Sequence, residues 1–524
     1  MTAIVEKNSG YVLGIDLGTT NTAVAVYKGS SAEIITTDGA KTMPSVMSVL
    51  KNGEILVGSQ AKARSLIDPE NTVTSIKRKM GQDWTKEFEG LPDKEYTPVD
   101  ISAEILSKLI SSVQQNESID LGGNPKYVVI SVPANFDDAQ KKATRKAGEL
   151  ANLEILTLLE EPVAAAYAYA LEKERDQTIL VYDLGGGTFD VSILKVNSTE
   201  SENKNFTVLS KEGIQELGGD DFDRKLMKTV AEIFKEKSGI DILDLEKDQG
   251  LSLKRIREAQ QKLKETVMIA KHELSDSLSA KIDLPNLIHD ESGQPYHIDN
   301  MEITRDQLND EIRDLILQTK EAVQKALDGA QLTIGDIDRI LLVGGSTKVP
   351  LVKEMLQEMF GREPYSDTDP DAAIARGAAI LGATLILPDP DLEHEKDDPG
   401  FTIDTDNIVT HYLGIEVVGG KFSCLIPKDA EIPEDGPATA TKKYTTPSDD
   451  MTELAIRVYQ SPEDVEYVSS EHVKCTGEFF LKGIPPKPRG QERITVNFEI
   501  NAQNLLKVSA LSSTSSKELE IRES

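Results

Sequence analysis

The stretch YVLGIDLG, followed by TAVAVYKG, runs apolar and β-branched residues up to a glycine-centred turn and away from it, the pattern of a tight hairpin. The plan returns in TILVYDLGGGTFDVSILKV, Thr178 to Val196, again with Asp-Leu-Gly where the first strand ends. Asp16 and Asp183 occupy equivalent places, 167 residues apart. Such self-similarity implies two related halves, each with a phosphate-sized turn, facing one another across a cleft. A polyphosphate needs backbone N–H donors close to its oxygens, so glycines and short hydroxyl side chains suit the turn. Gly18, Thr19 and Thr20 supply them in the first hairpin; Gly185, Gly186, Gly187 and Thr188 do so in the second. Asp16 and Asp183 would repel phosphate directly, but they can hold a hydrated Mg²⁺ that bridges the gap. Either turn alone reads as well as a plain glycine hairpin, whereas the shared Asp-Leu-Gly points to a shared duty.

At 524 residues the chain needs several cores. Amphipathic helices separate the hairpins: Ile101 to Gln115 places Ile101, Ile105, Leu109 and Val113 on one face, and about Leu251 to Leu278 does so with Leu253, Ile256, Leu263, Val267, Leu274 and Leu278. Thr304 and Gln307 have capping-box spacing at the head of a helix ending near Gly329. RILLVGGSTKVP then reads as a buried strand, a glycine pair and a helix start at Pro350, which suits an anion or nucleotide cradle. After Leu387 the composition turns to LPDPDLEHEKDDPG, a linker, and from His411 short alternating strands with turns at Gly419-Gly420 and Pro485-Pro486 form an all-β unit.

The net charge of −31 would repel a nucleic-acid backbone. No secretory signal or long apolar span is visible, so the reading is a cytoplasmic protein without membrane or nucleic-acid partners. Cys424 and Cys475 read as inert thiols, and His272, His289 and His297, lacking metal spacing, as surface or packing residues. No Walker sequence occurs, and GGGTFD lacks the last glycine of a dinucleotide fingerprint.

GIDLGTTN, SIKRKMG, SVPANFDDAQKKAT, EEPVAAAYAY, YDLGGGTFDVS, LGGDDFD, LLVGGSTKVP and PDAAIARGAA resemble, in order and spacing, the 70-kilodalton heat-shock chaperones of DnaK type. YLGIEVVGG, GIPPKPRG and ITVNFEI resemble more loosely that family's peptide-binding sandwich. The resemblance implies an α/β, actin-like (ribonuclease H-like, duplicated) ATPase domain of two lobes over 1–390, a linker over 391–410 and a β-sandwich over 411–524. It implies ATP/ADP and Mg²⁺ as cofactors, slow ATP hydrolysis, and nucleotide-dependent binding and release of exposed apolar segments of unfolded or extended polypeptides. A J-domain co-chaperone and a nucleotide-exchange factor are the implied partners.

By the same resemblance Thr19, Thr20 and Thr188, with Gly18, Asn21, Gly185, Gly186, Gly187, Gly218 and Gly219, meet the phosphates, and Lys77 sits beside the γ-phosphate. Glu161 with Asp183 orients metal and attacking water, and Asp16 shares the metal. Gly344, Gly345, Ser346, Lys348, Lys271, Ser275 and Asp371 match the adenosine pocket, Pro133 and Lys141 the interdomain relay. Ile415, Val418, Tyr444, Leu454, Ile456 and Val458 fall at or near the peptide groove, although Leu454, Ile456 and Val458 read equally as sandwich core.

The chain departs from the family at several points. Met268 replaces a glutamate near the ribose, Lys348 a stacking arginine and Lys141 another arginine. Lysine has no planar face, so reduced nucleotide affinity is expected. The linker GFTIDTDNIV, with Phe401 and Ile403 alternating with polar residues, reads either as an edge strand added to the nucleotide module or as a slack tether. The family's long helical lid does not follow the β-unit in this sequence, which reads either as a naturally lidless member or as a truncated chain. Bound peptide is therefore expected to exchange quickly, and release of a labelled peptide over hours would refute this. Two other readings are a non-cycling ATP-binding scaffold and a sugar kinase or cytoskeletal ATPase on the same fold.

Overall fold

The computed structural model describes residues 11–513 apart from 29–30, 117–120, 122–124, 171–175, 199–203, 245–251, 291, 366–368, 386–402, 410, 434–435, 471 and 502–505. Both hairpins form, Leu13–Leu17 with Asn21–Lys28 and Gln177–Leu184 with Phe189–Ser198, each antiparallel. Each seeds a larger sheet in the same way. Leu13–Leu17 takes Tyr127–Val132 as a parallel neighbour on its other edge, as Gln177–Leu184 takes Arg339–Val343. Beyond the hairpins, Ser31–Ile34 in one sheet and Lys204–Ile214 in the other add an antiparallel strand. The duplication visible in two short motifs therefore extends through both sheets, and it brings Asp16 and Asp183 to the same end of equivalent strands.

Local sequence accounts for the covering helices. Thr97 accepts from the Asp100 N–H and Asp100 from that of Thr97, a capping box that starts the helix Pro98–Gln114 with proline in its first turn. Its Ile101, Ile105, Leu109 and Val113 are all buried. Thr304 and Gln307 cap Arg305–Gly329 in the same way. In Leu253–Asp276, Ile256, Leu263, Val267 and Leu274 are buried, but Leu253 and Leu278 are 51% and 75% exposed. Leu253 is the first residue of that helix and Leu278 lies beyond its end, so neither shares its packed face; Leu251 lies outside the described residues.

A separate apolar cluster holds the C-terminal strands. The order Lys421–Ile426, Tyr412–Val417, Glu453–Ser461, Lys474–Lys482 makes one sheet, and Ala438–Thr445, Arg493–Ile500, Leu506–Ser512 a second. In Arg493–Ile500 every second residue, Ile494, Val496, Phe498 and Ile500, is buried, as a strand with one face on a core requires. Gly419 and Gly420 carry φ of 87° and 70°, the left-handed turn anticipated there.

The segment Ile403–Ile408 forms a strand. It pairs parallel with Lys204–Ile214, from Lys204↔Ile403 to Thr207↔Asp406, and its far end pairs antiparallel with Glu431–Ile432 of the β-unit. The edge-strand alternative holds for Ile403, whereas Phe401 lies outside the described residues. Proline at a paired position removes a ladder donor and fixes φ. Thr405→Pro is therefore expected to speed amide exchange at 205–207 by about tenfold or more; unchanged exchange there would contradict the pairing.

Candidate functional site

The two hairpin turns meet across a cavity of about 820 Å³, within the usual range for a small-ligand pocket. Their approach is so close that a Cβ on Gly186 would lie 2.1 Å from Thr20 Oγ1, and one on Gly187 2.7 Å from Thr19 Oγ1. Any side chain at either position would wedge the halves apart. Behind the second turn, Gly219 N donates to Gly185 O at 3.0 Å, Asp220 N to Gly186 O at 2.8 Å and Ser346 Oγ to Gly185 O at 2.8 Å. Every phosphate-site residue named from the sequence lines the cavity except Gly187 and Gly218, which stand behind it as spacers.

The floor carries a surplus of negative charge. Lys77, on the short turn Ile76–Lys79, has its Nζ 2.5 Å from Glu161 Oε1, both groups being buried. Burial alone would lower the lysine's pKa, but Glu161 and Asp16 outweigh it and hold the ammonium above its ordinary value. Asp16, whose Oδ1 accepts from Ser131 Oγ at 3.1 Å, is pushed up to about 7 by withdrawal from water and by the nearby Glu161. Asp183 is raised for the same reasons, with Asp190 and Asp16 adding, and its Oδ2 is buried with no hydrogen-bond partner among the described residues.

Three carboxylates facing one lysine, one of them with an orphaned oxygen, fit a divalent cation. Among the described residues no three acidic, histidine or cysteine side chains converge as a direct metal cage. The donor set therefore suits an ion that keeps water and phosphate ligands, as Mg²⁺ does.

At the far end, Lys271 Nζ lies 2.8 Å from Asp223 Oδ1 and donates to Gly219 O at 3.1 Å, while Ser275, Gly344, Gly345 and Met268 line the wall. Lys348 Nζ meets Asp371 Oδ2 at 2.6 Å, so its ammonium is engaged on one side. His272, read from the sequence as a surface or packing residue, is exposed and also lines this end. Partial burial and the cations Lys271, Lys62 and Lys348 lower its pKa from the ordinary histidine value. Helical spacing hides it, because one residue after Lys271 it has no pattern of its own. Arg78 and Asp221 were also out of reach of sequence reasoning; their 2.5 Å contact, with Ser75 Oγ donating to Asp220 Oδ2 at 2.6 Å, ties the halves beside the turns.

Pro133 is buried in the turn Pro133–Phe136, and Lys141 is buried against Glu160 at 3.7 Å. The six peptide-groove residues do not share one environment. Ile415, Ile456 and Val458 are 5%, 3% and 1% exposed inside the sandwich core, Tyr444 and Leu454 pack against it half-buried, and Val418 is 66% exposed at the glycine turn. Tyr444 Oη and Ser423 Oγ lie 2.9 Å apart as a hydrogen-bonded pair.

An Asp16 that titrates near 7 when folded, against an ordinary 3.8, makes the native state hold more protons, so stability falls as pH rises through that interval. Without metal or nucleotide, Asp16→Asn is expected to raise the unfolding midpoint by a few degrees at pH ~8 and hardly at pH ~4. Equal effects at both pH values would show that this carboxylate carries no burial cost.

A protein-family model described as Hsp70 protein matches residues 12–524. The chaperone protein DnaK of Thermotoga neapolitana is 42% identical over 518 residues, 98% of this chain and 80% of the relative's length. That of Thermosipho africanus is 41% identical over 503 residues, 95% and 77% of the two chains, and that of Thermosipho melanesiensis 40% over 509, 97% and 79%. With the glycine turns, the Lys77–Glu161 pair and the appended β-unit in one chain, this protein belongs to the Hsp70 family of ATP-hydrolysing chaperones.

Proposed function

We propose that the chain hydrolyses ATP slowly in the cleft between its two sheets and that the nucleotide state governs binding and release of exposed apolar segments of unfolded polypeptides in the C-terminal sandwich. The carrying observation is the buried Lys77–Glu161 pair beside the partnerless Asp183 oxygen, facing two turns that only glycine permits. The reading assigns an actin-like duplicated ATPase domain to 1–390, the linker to 391–410 and the peptide-binding sandwich to 411–524. ATP or ADP with Mg²⁺ fits the cavity, its glycine turns and its acidic floor.

When bound, Mg²⁺ would neutralise charge on the transferred and bridging oxygens. Asp16 and Asp183, at the ends of equivalent strands, would hold the ion. Thr19, Thr20 and Thr188 with the turn N–H groups grip phosphate, and Lys77 adds positive charge where the γ-phosphoryl departs. Glu161, held in place by its contact with Lys77, aligns and deprotonates water for in-line attack. No helix among the described residues is long and apolar enough to cross a membrane, in keeping with a cytoplasmic chaperone. A J-domain co-chaperone and a nucleotide-exchange factor complete the proposed cycle.

Single-turnover hydrolysis tests this. Glu161→Ala and Thr188→Ala are expected to slow hydrolysis by about 10²–10⁴-fold and to leave ATP bound, and an extended apolar peptide is expected to change the wild-type rate. Binding without turnover in the wild type would replace this reading with the non-cycling scaffold.

A further inference from the structure

The helix Leu253–Asp276 serves two cavities. Its Ile256, Leu263, Val267 and Leu274 are buried in the core, while Met268, Lys271 and Ser275 line the larger cavity already described. Toward the start of the helix the same polar stripe continues through Lys264, Gln261, Gln260 and Arg257, which share one side at helical spacing. These four line a second cavity of about 410 Å³, centred roughly 15 Å along the helix from Lys271. The wall opposite them, Pro69, Glu70 and Lys86, belongs to the other half of the N-terminal part.

The charges in this second cavity do not cancel. Arg257 Nη1 meets Glu70 Oε1 at 2.7 Å, which matches one cation with one carboxylate and leaves the rest of the guanidinium fork without a partner among the described residues. Lys86 and Lys264 are half-buried, and neither ammonium has an ion-pair or hydrogen-bond partner among the described residues. Unmatched, half-buried cations are costly, and in a chain of net charge −31 carboxylates to match them are plentiful. The wall that carries Lys264 is also braced: Gln260 Nε2 donates to Ile242 O at 2.7 Å and Gln261 Nε2 to Glu265 Oε1 at 3.0 Å. Two lysines and an open guanidinium fork suit phosphate oxygens. None of the described residues lining the cavity is aromatic, so nothing there could stack on a nucleobase, and the volume admits only a few phosphate groups.

We propose that this second cavity binds a short inorganic polyphosphate through Lys86, Lys264 and the open side of Arg257, and that the bound anion clasps the two halves together. Lys86 reaches it from the strand Lys86–Phe88 in one half, Lys264 and Arg257 from the helix in the other. The site lies apart from the glycine turns, and its existence does not depend on them. Only the effect of the clasp on nucleotide release rests on the proposed function.

Tripolyphosphate is titrated by calorimetry into the 524-residue chain with the larger cavity filled by saturating ADP and Mg²⁺, and likewise into Lys86→Gln, Lys264→Gln and the double variant. The wild type is expected to take up about one equivalent, each single variant to bind about 3- to 10-fold more weakly, and the double to show no saturable uptake, with ADP affinity within about twofold throughout. No saturable uptake by the wild type, or uptake unchanged in the double, overturns the site. Bound tripolyphosphate is expected to slow release of labelled ADP by about 2- to 10-fold in the wild type and to leave the double unaffected. Release from the wild type at the same rate with and without the anion overturns the clasp. Should the double not fold, the single variants decide: weaker binding upholds the site and unchanged binding in both overturns it. If the chain does not bind ADP, the proposed function fails separately, and the titration is made on the unfilled chain. One equivalent more in the wild type than in the double then upholds the site, and equal uptake overturns it.

Discussion

Asp16, Glu161 and Asp183 crowd one buried lysine, and the geometry of the N-terminal part follows from that crowding. Isolated carboxylates withdrawn from water are costly, and the pKa values of Asp16 and Asp183 rise chiefly because both are buried. A fold that served only its own stability would replace at least one. The duplicated strands instead deliver an aspartate from each half to the same void, and the glycine turns close above it to within a side chain's width. In the proposed reading a cation-carrying polyphosphate would supply the balance that the protein leaves out, so the cost of the buried carboxylates would become affinity for that ligand.

The parts that the sequence announced are those with short-range grammar. Hairpins, the capping box at Thr304, the Pro350 helix start and the paired glycines all depend on neighbours within a few residues, and all appear where the pattern puts them, whereas the equivalent box at Thr97 went unread. Pairings between distant polar residues have no such signature. Arg78 with Asp221 and Lys211 with Glu160 are brought together only by how sheets and helices pack. His272 is the exposed residue the sequence suggested, but a lone histidine on a helix has no period to tell that the surface it lies on borders the cavity. In the sandwich, Leu454, Ile456 and Val458 read equally as core and groove from the sequence; Ile456 and Val458 are buried and Leu454 half-buried, and inward residues can serve core and groove alike, so pattern alone could not divide them.

The β-unit is held to the N-terminal part by two kinds of contact that respond differently to solution. The ladder between Ile403–Ile408 and Lys204–Ile214 consists of backbone hydrogen bonds and is nearly indifferent to salt. The ion pairs Lys428–Glu212 and Lys474–Asp137 are partly shielded, so their contribution weakens with ionic strength, though less than that of exposed pairs. Together they fix the unit against the strand Lys204–Ile214 and the helix Asp138–Leu150.

The linker strand has a further consequence. While it stays in place, the backbone donors and acceptors of 204–207 are covered. Once it leaves, that row lies bare, a template that any extended segment can satisfy, including the same strand from a second molecule. Release of the sandwich and self-association are thereby linked by mass action, and concentrated protein is biased toward strand exchange whenever the released form is populated.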